Sequence, residues 1–262
     1  IKEVFGTTDI DKDKGEEFLD RICSTKVEKV IEDGYEKLAA DLGTYRNAMV
    51  MKREKITNRA IFVAKKRYIL NTLNSEGVHY DTPKVSVTGL ESVRSSTPEI
   101  CRSKLKKCFE IIMNEDEEVT QGFIRDFKEE FKSLTPEKIA KTSGCNDIIK
   151  YQNKDTLYRK GTPMHVRGAI LYNSFLKEKG LDKKFETIKG GDKVKLLYLK
   201  VPNPLRENVI AVPGLLPKQL GLHQYVDTEV QFEKVFLSPI QSILDAVGWS
   251  AEKKDTLDAF FG

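Results

Sequence analysis

A run of cations interrupts the apolar stretch that begins at residue 60 of this chain. The residues at the centre of the run are Lys65, Lys66, Arg67 and Tyr68. If residues 59–73 form one strand, alternation places long cations on both of its faces, beside rings and aliphatic side chains. Buried lysine and arginine need partners, so packing alone rarely explains such a strand. The run fits a strand that lies under a polyanion, and it fits equally an edge strand that lysines protect.

Composition places the chain among soluble, highly charged globular proteins. Its 262 residues suffice for one large domain or two modest ones. The net charge of +4 allows an acidic partner without requiring one, so an argument for nucleic-acid binding rests on local clusters. No stretch approaches a membrane-spanning length, and the first residues form no signal peptide. We therefore expect no membrane partner.

The cysteine and histidine patterns indicate a reduced protein without a structural metal. Cys101 and Cys108 lie about two helical turns apart, so they share a helix face but are too distant to form a disulfide. The other two cysteines and the three histidines are scattered, with no spacing typical of a zinc site. We expect a cytoplasmic location.

Hydrophobic periodicity predicts an α+β chain of two parts. A helix is expected over residues 15–42. Strands over residues 48–56 and 59–73, joined by Thr57 and Asn58, predict an antiparallel hairpin. The later predicted elements are a third strand over 84–90, helices over 97–113, 119–134, 163–180 and 229–247, and strands over 193–201 and 209–212. The predicted domains are residues 1–90, which are rich in strands, and residues 91–262, which are mainly helical with a small β portion.

The junction between these two parts is a second candidate site. The third strand ends near Gly89, and Arg94, Ser95 and Ser96 stand just before a helix that we expect Thr97 to cap. An arginine, two hydroxyls and the free amides of a helix start can hold a phosphate. An ordinary strand–turn–helix junction with capping hydroxyls explains the same residues, and only the neighbouring cationic run favours the phosphate.

Six short blocks of sequence occur in a fixed order along the chain. They read Lys65-Lys66-Arg67-Tyr68, Glu76-Gly77-Val78, Gly89-Leu90-Glu91, Ser95-Ser96-Thr97-Pro98, His165-Val166-Arg167-Gly168 and Pro202-Asn203-Pro204. In this order they resemble the tailed-phage (myovirus-like) replicative DNA polymerases of family B, over roughly residues 18–262. The first block is specific when it is combined with the third and fourth, whereas the last two blocks are weak singly.

The resemblance implies the end of a polymerase palm in residues 1–90 and a whole thumb in residues 91–262. In that family the palm lysines and tyrosine follow the minor groove of the primer-template, and the thumb grips the duplex by its backbone. The residues assigned to DNA by the resemblance and by the local patterns are Lys65, Lys66, Arg67, Tyr68, Arg94, Ser95, Ser96 and Arg167. His165 is as much a candidate for packing or capping.

The metal-binding carboxylates of the family are missing from the chain. One palm motif of the family reads Tyr-Gly-Asp-Thr-Asp-Ser, and residues 5–10 imitate it with Thr7 and Ile10 in place of an aspartate and the serine. The separation of Asp9 from Lys65 is also shorter than in the family. We therefore expect the true motif upstream, no catalytic residue, metal site or cofactor in this chain, and Mg²⁺ only in the full polymerase.

The end of the chain is a candidate binding site for a sliding clamp. Leu257, Phe260 and Phe261 fall on one face of a single helical turn. Apolar side chains at a chain end are unfavourable in water, so they dock either onto the protein's own thumb or onto a partner. The pattern resembles the clamp-binding peptide of such polymerases, although Lys254 stands where many have glutamine.

The sequence as a whole predicts the C-terminal palm–thumb part of a family B DNA polymerase, in the cytoplasm of a phage-infected host. Its expected partners are primer-template DNA, a sliding clamp and the N-terminal remainder of the polymerase. The alternative is a free-standing, non-catalytic DNA-binding or clamp-adaptor protein. The coding sequence upstream of the first residue distinguishes the two.

Overall fold

The computed structural model describes residues 12–90 and 94–253. The chain divides into two compact units, Ile1–Thr88 and Gly89–Gly262, where the predicted boundary followed residue 90. Helices and small antiparallel sheets occur in both units, which confirms the α+β class. The identification of the units as palm and thumb stays a prediction. The motif-like residues 5–10 lie outside the described residues.

The first unit begins with a long helix that contains one loosened turn. Helix α1 (Lys12–Ile22) continues through a π-helical turn (Cys23–Val27) into α2 (Glu28–Asp41). The hydroxyls of Ser24 and Thr25 donate to backbone carbonyls one turn earlier, at 2.9 and 2.6 Å. Such side-chain bonds compete with the regular helical ladder and accompany local bends. The helix predicted over residues 15–42 is therefore confirmed, with a π turn that the periodicity did not show.

Three antiparallel strands follow in the order β1-β2-β3. Their bounds are β1 Lys55–Ala64, β2 Arg67–Ser75 and β3 Val78–Thr88. The predicted strand over 48–56 and the predicted turn at Thr57 and Asn58 are wrong. The hairpin turns instead at Lys65 and Lys66, where Lys66 has φ +61°. Tight hairpin turns commonly include a residue with left-handed backbone, which is Lys66 here, and this turn leaves the two ammonium groups in water.

Polar contacts join the long helix to the strands of the first unit. Glu16 is only 5% exposed, and it accepts from Asn74 Nδ2 at 3.0 Å and contacts His79 Nδ1 at 2.9 Å. The Arg53 guanidinium pairs with Asp20. A buried carboxylate is tolerated when such partners satisfy it, so these contacts fix where α1 meets the sheet.

The second unit contains most of the helices and a second three-stranded sheet. Its helices are α3 Glu99–Asn114, α4 Glu117–Lys132, α5 Pro136–Ile139, α6 Ile148–Tyr151, α7 Met164–Glu178, α8 Thr228–Phe232 and α9 Ser238–Val247, with a π turn Glu233–Leu237 between the last two. Its strands are β4 Lys141–Cys145, β5 Gln152–Asn153, β6 Leu157–Tyr158, β7 Asp192–Tyr198 and β8 Val209–Val212. Two 3₁₀ turns, Lys218–Leu220 and His223–Tyr225, precede α8.

The core of this unit lies between the helices and the sheet of order β4-β7-β8. All four residues of β8 are buried beneath α7. At the contact, a Cβ added to Gly168 would meet the backbone nitrogen of Ala211 at 2.7 Å. Glycine therefore allows the helix and strand backbones to approach. An aromatic cluster of Phe127, Phe131, Phe232 and Phe236 joins α4 to the α8–α9 region, with ring centroids 4.8–5.9 Å apart.

The four cysteines are free, and three of them are buried. Burial raises the pKa of the Cys101 and Cys108 thiols to about 12, and burial together with the charge of Asp192 raises that of Cys145 to about 11. These thiols are therefore neutral packing groups rather than nucleophiles at physiological pH. None of the helices within residues 12–90 and 94–253 is both long and apolar enough to cross a membrane.

Candidate nucleic-acid interface

The predicted cations of the first unit lie at the tip of its hairpin. Lys65 and Lys66 occupy the exposed two-residue turn, and the half-buried Arg67 and Tyr68 open β2. The interpretation of residues 59–73 as one strand with cations on both faces is therefore wrong. Because a tight turn points its side chains away from the sheet, both ammonium groups can meet a ligand beyond the end of the strands.

The charged side chains of the hairpin that carries this turn are all positive. Residues 55–75, which make up β1, the turn and β2, contain five cations and neither aspartate nor glutamate. The five are Lys55, Arg59, Lys65, Lys66 and Arg67. A net charge of five over this hairpin exceeds the +4 of the whole chain, so the chain concentrates its positive charge here. The absence of aspartate and glutamate from residues 55–75 could have been read from the sequence alone.

An aromatic pair stands beside the turn, and the sequence analysis did not single out one of its members. Phe62 lies opposite Tyr68 in the β1–β2 register. Their ring centroids are 5.7 Å apart, tilted by 45°, and Phe62 is 69% exposed. The pairing depends on the position of the turn, so a register with the turn at Thr57 and Asn58 could not have shown it.

The junction before α3 differs from the predicted cap. Helix α3 begins at Glu99 with Pro98 as its N-cap, and Pro98 has no side-chain cap. Thr97, the predicted N-cap, is instead buried at 6% exposure, and its N–H donates to the carbonyl of Arg94 at 3.2 Å. Because Pro98 has no side-chain acceptor, the N-cap position of α3 lacks a side-chain cap.

The side chains assigned to phosphate at this junction have different surroundings. Arg94 and Ser95 are exposed, whereas Ser96 is half-buried and its carbonyl accepts from the N–H of Thr142 in β4 at 3.0 Å. A cleft of about 610 Å³ beside them is lined by both signs of charge. The charged residues in its lining are Glu99, Arg102, Glu137, Lys138 and Lys195. The junction therefore offers hydroxyls and cations, but in a mixed electrostatic environment.

Arg167 is held in place by contacts from two other segments. It lies in the first turn of α7, and its Nη2 donates to Asn208 Oδ1 at 2.5 Å. Its guanidinium lies 5.7 Å from the ring centroid of Tyr158 in β6. The Tyr158 hydroxyl in turn donates to Glu207 at 2.6 Å, and this bond is the largest cause of a raised Tyr158 pKa. Arg167 is thus oriented before any ligand arrives.

His165 belongs to the same motif as Arg167 but is less suited to binding a phosphate. Burial lowers the pKa of His165, so its ring is neutral at pH 7 and contributes no charge to a phosphate site. This favours packing over phosphate binding for His165. Nothing in the spacing of the sequence indicated that Tyr158, Glu207 and Asn208 surround Arg167, because all three come from distant positions along the chain.

The predicted residues thus form three local groups. Lys65, Lys66, Arg67 and Tyr68 lie together on the hairpin of the first unit, whereas the second unit holds Arg94, Ser95 and Ser96 before α3 and Arg167 on α7. The predicted clamp-binding residues Leu257, Phe260 and Phe261 lie outside the described part of the chain.

Comparison with known proteins identifies relatives over nearly the whole chain. The chain is 30% identical over 258 residues to the DNA-directed DNA polymerase of Enterobacteria phage T4, and 31% identical over 258 residues to that of Escherichia phage RB69. Each match covers 94% of this chain but only 28% of the relative. No protein-family model matches. The resemblance drawn from the short motifs is confirmed: the chain is a relative of the phage DNA-directed DNA polymerases, and its extent is consistent with a C-terminal fragment of a phage family B polymerase.

Proposed function

We propose that this chain is the palm–thumb part of a family B phage DNA polymerase and that it binds primer-template duplex. The observation that carries the proposal is the exposed hairpin turn, where the polymerase-like block Lys65-Lys66-Arg67-Tyr68 sits on a hairpin with five cations and no acid. Two ammonium groups beyond the end of a sheet can contact phosphates on both sides of a groove.

The chemistry of the groups supports binding with little sequence preference. Lysine binds phosphate as a point charge, which carries no information about the base pair. The minor groove presents nearly the same acceptors for every A·T orientation, so contacts there discriminate weakly. A replicative polymerase must accept any sequence, and this arrangement meets that requirement.

The second unit supplies its own candidate contacts to a duplex backbone. Arg167 is pre-oriented by Tyr158 and Asn208, and an arginine ordered in advance loses little freedom when it binds a phosphate. Arg94, Ser95 and Ser96 are assigned further phosphate contacts before α3. We infer that each group contacts the backbone rather than base edges.

The direct test is equilibrium binding of the chain to a fluorescently labelled primed duplex, measured by anisotropy at about 50 mM salt. We expect micromolar or weaker affinity, with less than about threefold variation among duplexes of unrelated sequence. We expect a modest affinity because the chain spans only 28% of each relative's length. A chain that does not bind at this salt, or that binds a single sequence, contradicts the proposal.

We also propose that the catalytic metal-binding carboxylates lie outside this chain. Phosphoryl transfer in such polymerases uses two Mg²⁺ ions held by aspartates. Among residues 12–90 and 94–253, no group of three or more acidic, histidine or cysteine side chains is placed to hold a metal ion. We derive no catalytic step from the described residues.

The purified chain is accordingly expected to incorporate no nucleotide on a primed template with Mg²⁺. A primer-extension gel checks this, with a complete phage polymerase as positive control. Extension by the pure chain that Asp9→Asn abolishes would show that residues 5–10 hold the metal after all.

A surface on the first unit is suited to the remainder of the polymerase. Apolar side chains stand exposed on α2 and on the segment that follows it. They include Val30 at 71%, Leu42 at 68%, Tyr45 at 102% and Val50 at 80% exposure. Apolar side chains of this kind become favourable when another polypeptide covers them. An upstream frame encoding the missing aspartates would decide between the polymerase part and the rival adaptor.

The C-terminal residues are proposed to bind a sliding clamp. Burying Leu257, Phe260 and Phe261 could contribute about 1.5–3 kcal/mol for each side chain before ordering of the backbone is subtracted. The net affinity for a clamp is therefore expected to be modest.

Deleting residues 257–262 is expected to abolish clamp binding while leaving the melting temperature and duplex affinity nearly unchanged. Surface plasmon resonance on immobilised clamp and thermal denaturation check the two halves of this prediction. Deletion of Gly262 alone is the control. A marked fall in melting temperature would assign Leu257, Phe260 and Phe261 to the chain's own core.

A further inference from the structure

Phe62 exposes 69% of its surface near the end of β1, two residues before the strand stops and beside an irregularity in the β1–β2 register. Its neighbours on β1 follow the ordinary pattern, because Ile61 is buried at 7% on the opposite face. Core packing therefore uses the other side of the strand and does not explain a phenylalanine here. Large aromatic side chains held in water commonly mark a binding surface.

Phe62 and Tyr68 form a pair of adjacent rings, which we call the aromatic ledge. The two rings are 5.7 Å apart across the β1–β2 pair. Ala60 precedes Phe62 by two residues and Thr88 lies opposite Tyr68 on β3, so alternation places small side chains on either side of the ledge. Small side chains thus flank the ledge on β1 and on β3.

The charge around the ledge identifies the class of ligand. Lys65 and Lys66 are exposed at the turn that immediately connects the two strands of the ledge. The hairpin has no acidic side chain to attract a basic partner or to pair with these lysines within the hairpin itself. An apolar ledge bounded by cations complements the sugars and base edges of a nucleic-acid groove bounded by phosphates.

We propose that Phe62, together with Tyr68, contacts the deoxyribose and base-edge surface of the duplex minor groove while Lys65 and Lys66 hold the flanking phosphates. This rests on the proposed function and adds a residue to it. Phe62 acts by apolar contact, so its contribution does not depend on release of counterions. Its removal lowers affinity equally at every salt concentration, whereas removal of a lysine changes the salt dependence.

The test compares Phe62→Ala and Phe62→Leu with Val78→Ala on the primed duplex. Val78 is the matched control because it is 59% exposed on the same sheet, beside the opposite turn at Glu76 and Gly77. We expect Phe62→Ala to weaken binding about fivefold or more, by analogy with the loss of other aromatic contacts to nucleic acid, with an unchanged salt slope. Phe62→Leu loses less, and Val78→Ala is neutral. Thermal denaturation establishes that every variant is folded.

A spectroscopic arm locates the contact independently of affinity. In a Phe62→Trp, Trp249→Phe chain, the indole is the single tryptophan, since the sequence has one. Duplex binding is expected to change its emission, and a single strand of the same sequence is expected to change it less.

The outcomes separate this inference from the proposed function. If the unaltered chain does not bind duplex, the proposed function fails. If it binds, and the lysine variants weaken it but Phe62→Ala behaves like Val78→Ala, the inference alone is wrong. If Phe62→Ala loses as much affinity for the single strand as for the duplex, the contact is base stacking and the groove assignment is wrong.

Discussion

Replacing Gly168 with alanine is expected to lower the melting temperature by about 3–10 °C, because overpacking costs about 1–3 kcal/mol in a unit of this size. A Cβ at this position would lie 2.7 Å from the nitrogen of Ala211 and 2.9 Å from the carbonyl carbon of Ile210. Both atoms are backbone of the buried strand β8, so neither can rotate away. Helix α7 would have to move off the sheet, and Gly168→Val would move it further.

The matched control is Gly122→Ala in helix α4. The nearest atom to a Cβ there is Arg125 Nη2 at 3.8 Å, an ordinary contact with a flexible side chain. Alanine lowers the conformational freedom of the unfolded chain, so this variant is expected to gain about 0.5–1 kcal/mol. Differential scanning calorimetry of the two variants should give shifts of opposite sign. A Gly168→Ala chain as stable as Gly122→Ala would show that α7 and β8 are not in close contact.

The double variant Lys65→Ala, Lys66→Ala is expected to show the largest loss of duplex binding. Each lysine that contacts a phosphate contributes about tenfold in affinity at 50 mM salt, so the pair contributes up to about 100-fold. Both side chains are exposed at a turn, and neither packs in the core. The melting temperature should therefore stay within about 2 °C of the unaltered chain.

The control for net charge is Lys106→Ala, Lys107→Ala. These adjacent lysines are exposed on α3, where Lys107 contacts Glu110 at 3.3 Å, and they match the first pair in charge and spacing. Anisotropy titrations of both double variants distinguish a local site from a general attraction. An equal loss in the two variants would mean that the chain binds DNA by net charge alone.

Periodicity predicted elements whose apolar faces are continuous. Strand β8, expected over residues 209–212, is found at Val209–Val212 because four successive apolar residues are all buried. The long helix of the first unit was equally evident. The hairpin was misplaced because Thr57 and Asn58 have stronger turn propensity than two lysines. The pairing of Ile61 with Ile69 outweighs that propensity, and only the register of the sheet reveals it.

The sequence predicted the charged residues of the candidate site but not the residues that orient them. Lys65 and Lys66 stand in a block that is specific in combination with the blocks at residues 89–91 and 95–98, so the sequence was enough to select them. Arg167 was selected as well, but its orientation depends on Tyr158 and Asn208, which lie 9 and 41 positions away. Contacts over such separations leave no local pattern. The burial of Thr97 likewise depends on tertiary packing. Local rules favoured Thr97 as the N-cap of α3, and the structure does not use it there.

The central claim is that the hairpin turn binds the phosphate backbone of duplex DNA, and the salt dependence of binding tests it most directly. The dissociation constant for the primed duplex is measured between 50 and 200 mM salt for the unaltered chain and for Lys65→Ala, Lys66→Ala. Each lost phosphate contact is expected to flatten the slope of log K against log salt by about 0.9, so the double variant should differ by about 1.8. A folded double variant with the same slope and the same affinity at every salt concentration would contradict the account.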